Sequence, residues 1–146
     1  MTMQEIVELV RDWDGTFVLT PGPGDGHPEV AWGDSFFYYA PDGQMPAATQ
    51  PFATIVTKNY PEDELSALNR DGVYRVNIHP SRAAFEEWAA RAGDDPSALD
   101  QVITHPVYGQ AGWLAVLNPG PSTVGTVREL LREAYELARI RYDRRH

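Results

Sequence analysis

The chain has 146 residues, of which 42% are hydrophobic and 23% are charged, and its formal net charge is −9. This composition is typical of a globular protein, so we expect residues 1–146 to form a single domain with its own core. Because the chain contains no cysteine, disulfides, thiolate metal sites and a cysteine nucleophile are excluded.

The first half of the chain predicts one helix followed by four short strands. Apolar residues recur at helical spacing over residues 3–13, and Thr2 with Glu5 has the form of a capping box. Apolar and β-branched runs predict strands at residues 16–20 and 52–58. Residues 29–32 and 35–39 flank Gly33 and Asp34, which predicts a tight hairpin.

The second half predicts three helices and two strands. Pro61 and the acidic residues after it favour a short helix over residues 61–68, and residues 73–78 alternate as a strand does. A helix over residues 80–92, an acidic connection over 94–100, a strand over 113–117 and a helix over 123–142 follow. Six strands with helices at both ends predict an α+β fold, in which helices cover one face of an antiparallel sheet.

The order of elements in the second half resembles the MmcQ/YjbR-like family. The segments that carry the resemblance are RVNI, HPSRAAFEEW, GWLAVLN and REAYELA, and three residues match positions typical of the family: Pro80, Trp113 and Tyr135. The resemblance implies a CyaY-like fold, and members of the group are often described as DNA-binding. The chain departs from the family at Ile78-His79, where a lysine is typical, and at Gly112 and Ala134, where histidine and serine are typical.

A second resemblance covers nearly the whole chain. The segments AWGDSFFYY, PFATIVTK and HPVYG are similar to a pattern found in an uncharacterised bacterial family. This resemblance implies no reaction.

Histidines at the ends of predicted strands are the candidate chemical groups. His27, His79 and His105 each precede a proline, which favours an extended backbone at the boundary of an element. No spacing typical of metal ligands connects them, so we expect no metal and no cofactor. If the strand ends are neighbours, His79, His105, Asn77 and Tyr108 surround one cleft, with a histidine available as a general acid or base.

The aromatic run around residues 36–39 is the second candidate site. On an alternating strand, Phe37 and Tyr39 share one face, while Phe36 and Tyr38 share the other. One pair therefore meets the helices, and the other meets solvent, a ligand or a second copy of the chain. We assign Trp32, Phe37 and Tyr39 to a ligand pocket, and we expect self-association through the open face of the sheet as a homodimer.

Two classes of function remain open at this point. The first is a non-enzymatic binding module for a small apolar or aromatic ligand. We favour this class because the sequence contains no nucleophile or carboxylate pair at a spacing typical of an active site. The second is a small metal-independent enzyme that uses His79 or His105. Specific nucleic-acid binding is disfavoured by the charge of −9. No secretory signal or apolar span is recognisable, so we expect a cytoplasmic protein without a membrane partner.

Overall fold

A six-stranded antiparallel sheet forms the centre of the fold. The computed structural model describes all residues from 1 to 146. The strands lie in the order β1-β2-β3-β4-β6-β5, and every neighbouring pair is antiparallel. Their bounds are β1 Thr16–Leu19, β2 Ser35–Tyr39, β3 Ala53–Val56, β4 Arg75–Ile78, β5 Val102–Thr104 and β6 Leu114–Leu117. The predicted α+β fold is therefore confirmed.

Three helices pack on one face of this sheet. They are α1 Met3–Arg11, α2 Arg82–Ala89 and α3 Val124–Arg145. Helix α1 begins with the predicted capping box between Thr2 and Glu5. The main core lies between these helices and alternate strand residues such as Ile55, Val76 and Leu114. None of the helices has both the length and the apolar character that crossing a membrane requires.

The predicted hairpin over residues 29–39 is wrong in its first strand. Glu29–Ala31 forms a short 3-10 turn, and β2 pairs with β1 and β3 instead. The reason is Lys58, whose ammonium group donates to the carbonyls of Val30 at 2.9 Å and Trp32 at 2.6 Å. These carbonyls bind a side chain rather than a neighbouring strand.

The sixth strand lies elsewhere in the chain. Strand β5 has only three residues, Val102–Thr104, and forms the sheet edge beside β6. A run this short between an acidic connection and a proline-containing loop carries little periodic signal. The sheet therefore has the expected six strands, but Val102–Thr104 takes the place of the strand predicted at residues 29–32.

The short helix predicted over residues 61–68 does not form. Glu62 and Ala67 have φ values of 67° and 52°, which interrupt any right-handed helix. Asp63 and Ser66 instead turn toward the sheet, where both bind Arg75. One of the acidic residues that suggested a helix start, Asp63, instead pairs with a buried cation.

The face of the sheet without helices is partly covered by the loop over residues 57–72. Leu68 of this loop packs with Val56, Ile103 and Leu117 in a second apolar cluster. The two residues of the aromatic run 36–39 that lie on this face are Phe36 and Tyr38, of which Tyr38 is only 7% exposed. The apolar surface available for the expected homodimer is therefore smaller than the sequence suggested, and self-association stays a prediction.

A buried carboxylate fixes the start of this loop. Asp34 is fully buried and accepts hydrogen bonds from the backbone N–H of Thr57 at 2.9 Å and its hydroxyl at 2.7 Å. Lys58 lies 3.2 Å from the same carboxylate, and the hydroxyl of Tyr60 donates to its other oxygen. Four donors therefore hold residues 57–60 against β2.

Replacing this carboxylate is expected to destabilise the fold. Asp34→Ala leaves the donors of Thr57, Lys58 and Tyr60 without their acceptor, so the free energy of unfolding should fall by about 3 kcal/mol. Urea unfolding followed by circular dichroism measures this change. In the control, Asp42→Ala in an exposed turn, the loss should stay below about 1 kcal/mol. An equal, small loss in both variants would contradict the assigned role of Asp34.

Candidate functional site

A cleft of about 410 Å³ opens on the face of the sheet that carries no helix. Its floor consists of side chains from the central strands β3 and β4, and its walls come from the loops over residues 57–63 and 105–113. The residues that carry its chemistry are Thr54, Tyr60, Asp63, Arg75, Asn77, His105, Tyr108 and Trp113.

The floor is built by strand register. Thr54 of β3 is paired with Asn77 of β4, so both side chains lie side by side on the same face. Arg75 lies two residues before Asn77 and therefore points to the same side. The amide of Asn77 donates to the hydroxyl of Thr54 at 2.9 Å and accepts from Nε of Arg75 at 2.7 Å.

Arg75 is 1% exposed and is matched by groups on the covering loop. Asp63 accepts from both terminal nitrogens of the guanidinium, at 3.0 and 2.6 Å. Ser66 accepts a further hydrogen bond at 3.1 Å. Burial alone would raise the pKa of Asp63, but the hydrogen bonds and charge of Arg75 outweigh it and hold the pKa below its usual value. The site therefore contains a bidentate ion pair at neutral pH.

His105 begins the second wall. Its backbone N–H donates to the carbonyl of Trp113, and its own carbonyl accepts from Gly109, so the loop closes on itself. The ring atom Nδ1 lies 3.0 Å from the backbone nitrogens of both Val107 and Tyr108. These backbone groups can only donate, so Nδ1 keeps its lone pair. The proton of the neutral ring must therefore be on Nε2.

This tautomer places two donors against each other. Nε2 of His105 lies 3.1 Å from Nη2 of Arg75, and both side chains are buried. A guanidinium nitrogen cannot accept a hydrogen bond. An oxygen atom placed beside both nitrogens would accept from each of them. The floor of the cleft thus presents a pair of N–H donors to an acceptor.

The same environment keeps His105 uncharged. Burial, together with the charge of Arg75, lowers the pKa of His105 to about 4, although Asp63 acts in the opposite direction. With Nδ1 occupied by backbone donors and Nε2 protonated, the ring has no free lone pair for accepting a proton from a substrate. This geometry favours a hydrogen-bond donor over a general base.

The structure brings together part of the expected set. Asn77, His105 and Tyr108 surround the same cleft. His79 instead lines a neighbouring cavity, and its ring stacks on Trp113 with centroids 4.9 Å apart. Because Trp113 also lines the cleft, it lies at the boundary between the two cavities.

The aromatic residues assigned to a ligand pocket lie elsewhere. Phe37 is fully buried in the core under the helices and stacks with Phe52, so it is not available to a ligand. Tyr39 lies on the same helix-covered face and lines the neighbouring cavity rather than the cleft. Trp32 borders neither cavity, and its indole N–H donates to the carbonyl of His27. The aromatic residue of the run that reaches the cleft is Phe36.

Of the eight residues that carry the chemistry of the cleft, five were not assigned to a site from the sequence: Thr54, Tyr60, Asp63, Arg75 and Trp113. One signal was present, since Arg75 and Asn77 share a face of the clearest strand and leave two polar groups in the middle of the sheet. Their partners come from the segment that was predicted as a helix. No group of three or more histidine, aspartate or glutamate side chains is placed to hold a metal ion.

The lowered pKa of His105 predicts how stability depends on pH. Between its folded pKa of about 4 and its unfolded value near 6.5, the unfolded chain binds more protons, so stability falls as pH falls. Lowering the pH from 7 to 5 should cost about 2 kcal/mol through His105 alone. Burial and the charge of Arg141 also lower the pKa of His79. His79 therefore changes stability in the same direction.

Urea unfolding of the wild type and of His105→Asn at pH 7 and pH 5 measures this dependence. The variant should lose about 2 kcal/mol less than the wild type over this interval. His27→Asn in a surface loop is the matched control. The assignment would be contradicted if His105→Asn and the wild type lost equal stability.

Comparison with known proteins identifies the family of the chain. No curated protein and no solved structure matches it. The similarity to the MmcQ/YjbR-like group thus stays a prediction. A model describing a family of unknown function (DUF6194) matches residues 1–146, the full length given. The chain therefore belongs to the DUF6194 family.

Proposed function

We propose that the protein binds a small, flat, uncharged molecule in the cleft and recognises it through an acceptor oxygen. The observation that supports this most directly is the pair of buried donors, Nε2 of His105 and Nη2 of Arg75, only 3.1 Å apart. Nη2 already donates to Asp63, but the two N–H groups that His105 and Arg75 turn toward each other have no acceptor, and such buried donors are costly. A carbonyl oxygen between them would remove this cost and gain two hydrogen bonds, one of them from a charged group.

The charges around the cleft favour an uncharged ligand. Asp63 offsets the charge of Arg75 through two hydrogen bonds, and Glu62 is exposed at the rim. An anion brought to the guanidinium would meet both carboxylates, in a chain whose net charge is −9. An amide, lactam or ketone oxygen accepts the same hydrogen bonds without this repulsion.

The walls favour a flat ligand. Phe36, Tyr60, Tyr108 and Trp113 present aromatic side chains to the cleft, and such surfaces stack on planar molecules. The volume of about 410 Å³ lies within the range that holds small ligands. Tyr108 is 57% exposed, so its ring can pack over a bound molecule at the entrance.

A binding role is supported over acid–base catalysis by His105. The ring has no free lone pair, and its pKa of about 4 leaves it a weak base at neutral pH. Tyr60 is also a poor proton donor, because burial and its hydrogen bond to Asp34 raise its pKa well above the usual value.

Benzamide is the probe that tests this proposal. Its flat ring and carbonyl oxygen fit the cleft, whereas benzylamine has the ring without an acceptor oxygen and carries a positive charge. In ¹H–¹⁵N correlation spectra, benzamide should shift the signals of Val107, Tyr108 and Asn77, and benzylamine should leave them in place.

His105→Asn is the variant that isolates the donor. The asparagine oxygen can replace Nδ1 as the acceptor for the backbone of Val107 and Tyr108, but the side chain does not reach the position of Nε2. Benzamide should therefore bind this variant at least tenfold more weakly, and His27→Asn should bind as the wild type does. Unchanged spectra with benzamide, or equal affinity in His105→Asn, would overturn the proposal.

A further inference from the structure

A second cavity of about 520 Å³ lies between the loop over residues 40–51 and the C-terminal turns of α3. Its apolar side includes Tyr39, Phe52 and Ala138, and its polar side includes His79, Arg141 and Arg145. It meets the cleft at Gln50 and Pro51, which line both cavities. The His79 ring in this cavity stacks on Trp113 of the cleft.

The charge of this cavity is opposite to that of the chain. Its lining contains two arginines but a single acidic residue, Asp42, although the chain carries a net charge of −9. Arg132 and Arg139 of the same helix form ion pairs with Glu136. The two arginines of the cavity form none, so their charges are available to a ligand.

Helix geometry explains why these arginines converge. Ala138, Arg141 and Arg145 are spaced by three and four residues and therefore lie on one face of α3. This face is turned toward the loop, where Arg145 lies 3.5 Å from the hydroxyl of Thr49. Arg144 is as close to the helix end but does not line the cavity. Compensation of the helix dipole, which acts within the last turn, does not account for Arg141.

We propose that this cavity binds an oxyanion, in the form of the phosphate or carboxylate groups of a small molecule. Arg141 and Arg145 supply the charge, since guanidinium groups match both kinds of anion through paired N–H donors. The apolar side of the cavity leaves room for the remainder of such a molecule. This site is separate from the donor pair of His105 and Arg75 and does not depend on the function proposed for the cleft.

His79 provides a signal for occupancy. Burial and the nearby charge of Arg141 lower its pKa. The titratable groups around it in the cavity are Tyr39, Asp42, Arg141, Tyr142, Arg145 and His146. A bound oxyanion would offset the arginine charge and favour the protonated ring.

Titration calorimetry with inorganic pyrophosphate and, separately, with succinate tests the proposal and distinguishes the two kinds of anion. Replacement of both cavity arginines, Arg141→Gln with Arg145→Gln, should weaken binding at least tenfold. Arg144→Gln, which removes a charge on the same helix outside the cavity, should bind as the wild type does. At pH 6.5, saturation with the better ligand should move the His79 ring signals toward those of the protonated form.

His105→Asn distinguishes this proposal from the function proposed for the cleft. The variant should bind the anion normally even though it loses affinity for benzamide. The anion site would be overturned if neither pyrophosphate nor succinate bound. It would equally be overturned if Arg144→Gln weakened binding as much as the double replacement, because the effect would then reflect surface charge alone.

Discussion

The buried guanidinium of Arg75 is the constraint on which the helix-free face of the sheet depends. A cation that is 1% exposed must be paired with an opposite charge, because leaving its charge unmatched in the interior costs several kcal/mol. Asn77 in the sheet accepts a hydrogen bond from Nε of Arg75, while Asp63 and Ser66 in the loop accept from its terminal nitrogens. The loop is thereby tied over the strands, and the space beside it is the cleft.

Nε2 of His105 and Nη2 of Arg75 are the two atoms through which this arrangement could recognise a ligand. The loop after the fifth strand fixes His105 through two backbone donors, and the ring then turns its own N–H toward Arg75. The packing of the fold thus supplies two convergent donors in an aromatic cleft. The neighbouring cavity, across the His79–Trp113 stack, has unpaired arginines instead. The two cavities therefore suit chemically different ligands or different parts of one.

Local signals in the sequence were sufficient for much of the fold but for only part of the site. The capping box at Thr2 and the alternation of the fourth strand act within a few residues, so they were readable. The conformation of the segment that contains Asp63 could not be predicted in this way, because it depends on Arg75, a partner 12 residues away. Asn77, His105 and Tyr108 could be grouped as strand-end residues. The role of Arg75, by contrast, depends on strand order, which no local pattern contains.

The tautomer of His105 is the property that most directly tests whether its ring and Arg75 form a pair of donors. Long-range ¹H–¹⁵N correlation of the imidazole at pH 7 distinguishes a protonated ring nitrogen from one with a lone pair. We expect a neutral ring with the proton on Nε2 and the lone pair on Nδ1, where the backbone of Val107 and Tyr108 donates. A proton on Nδ1, with Nε2 accepting from Arg75, would contradict it.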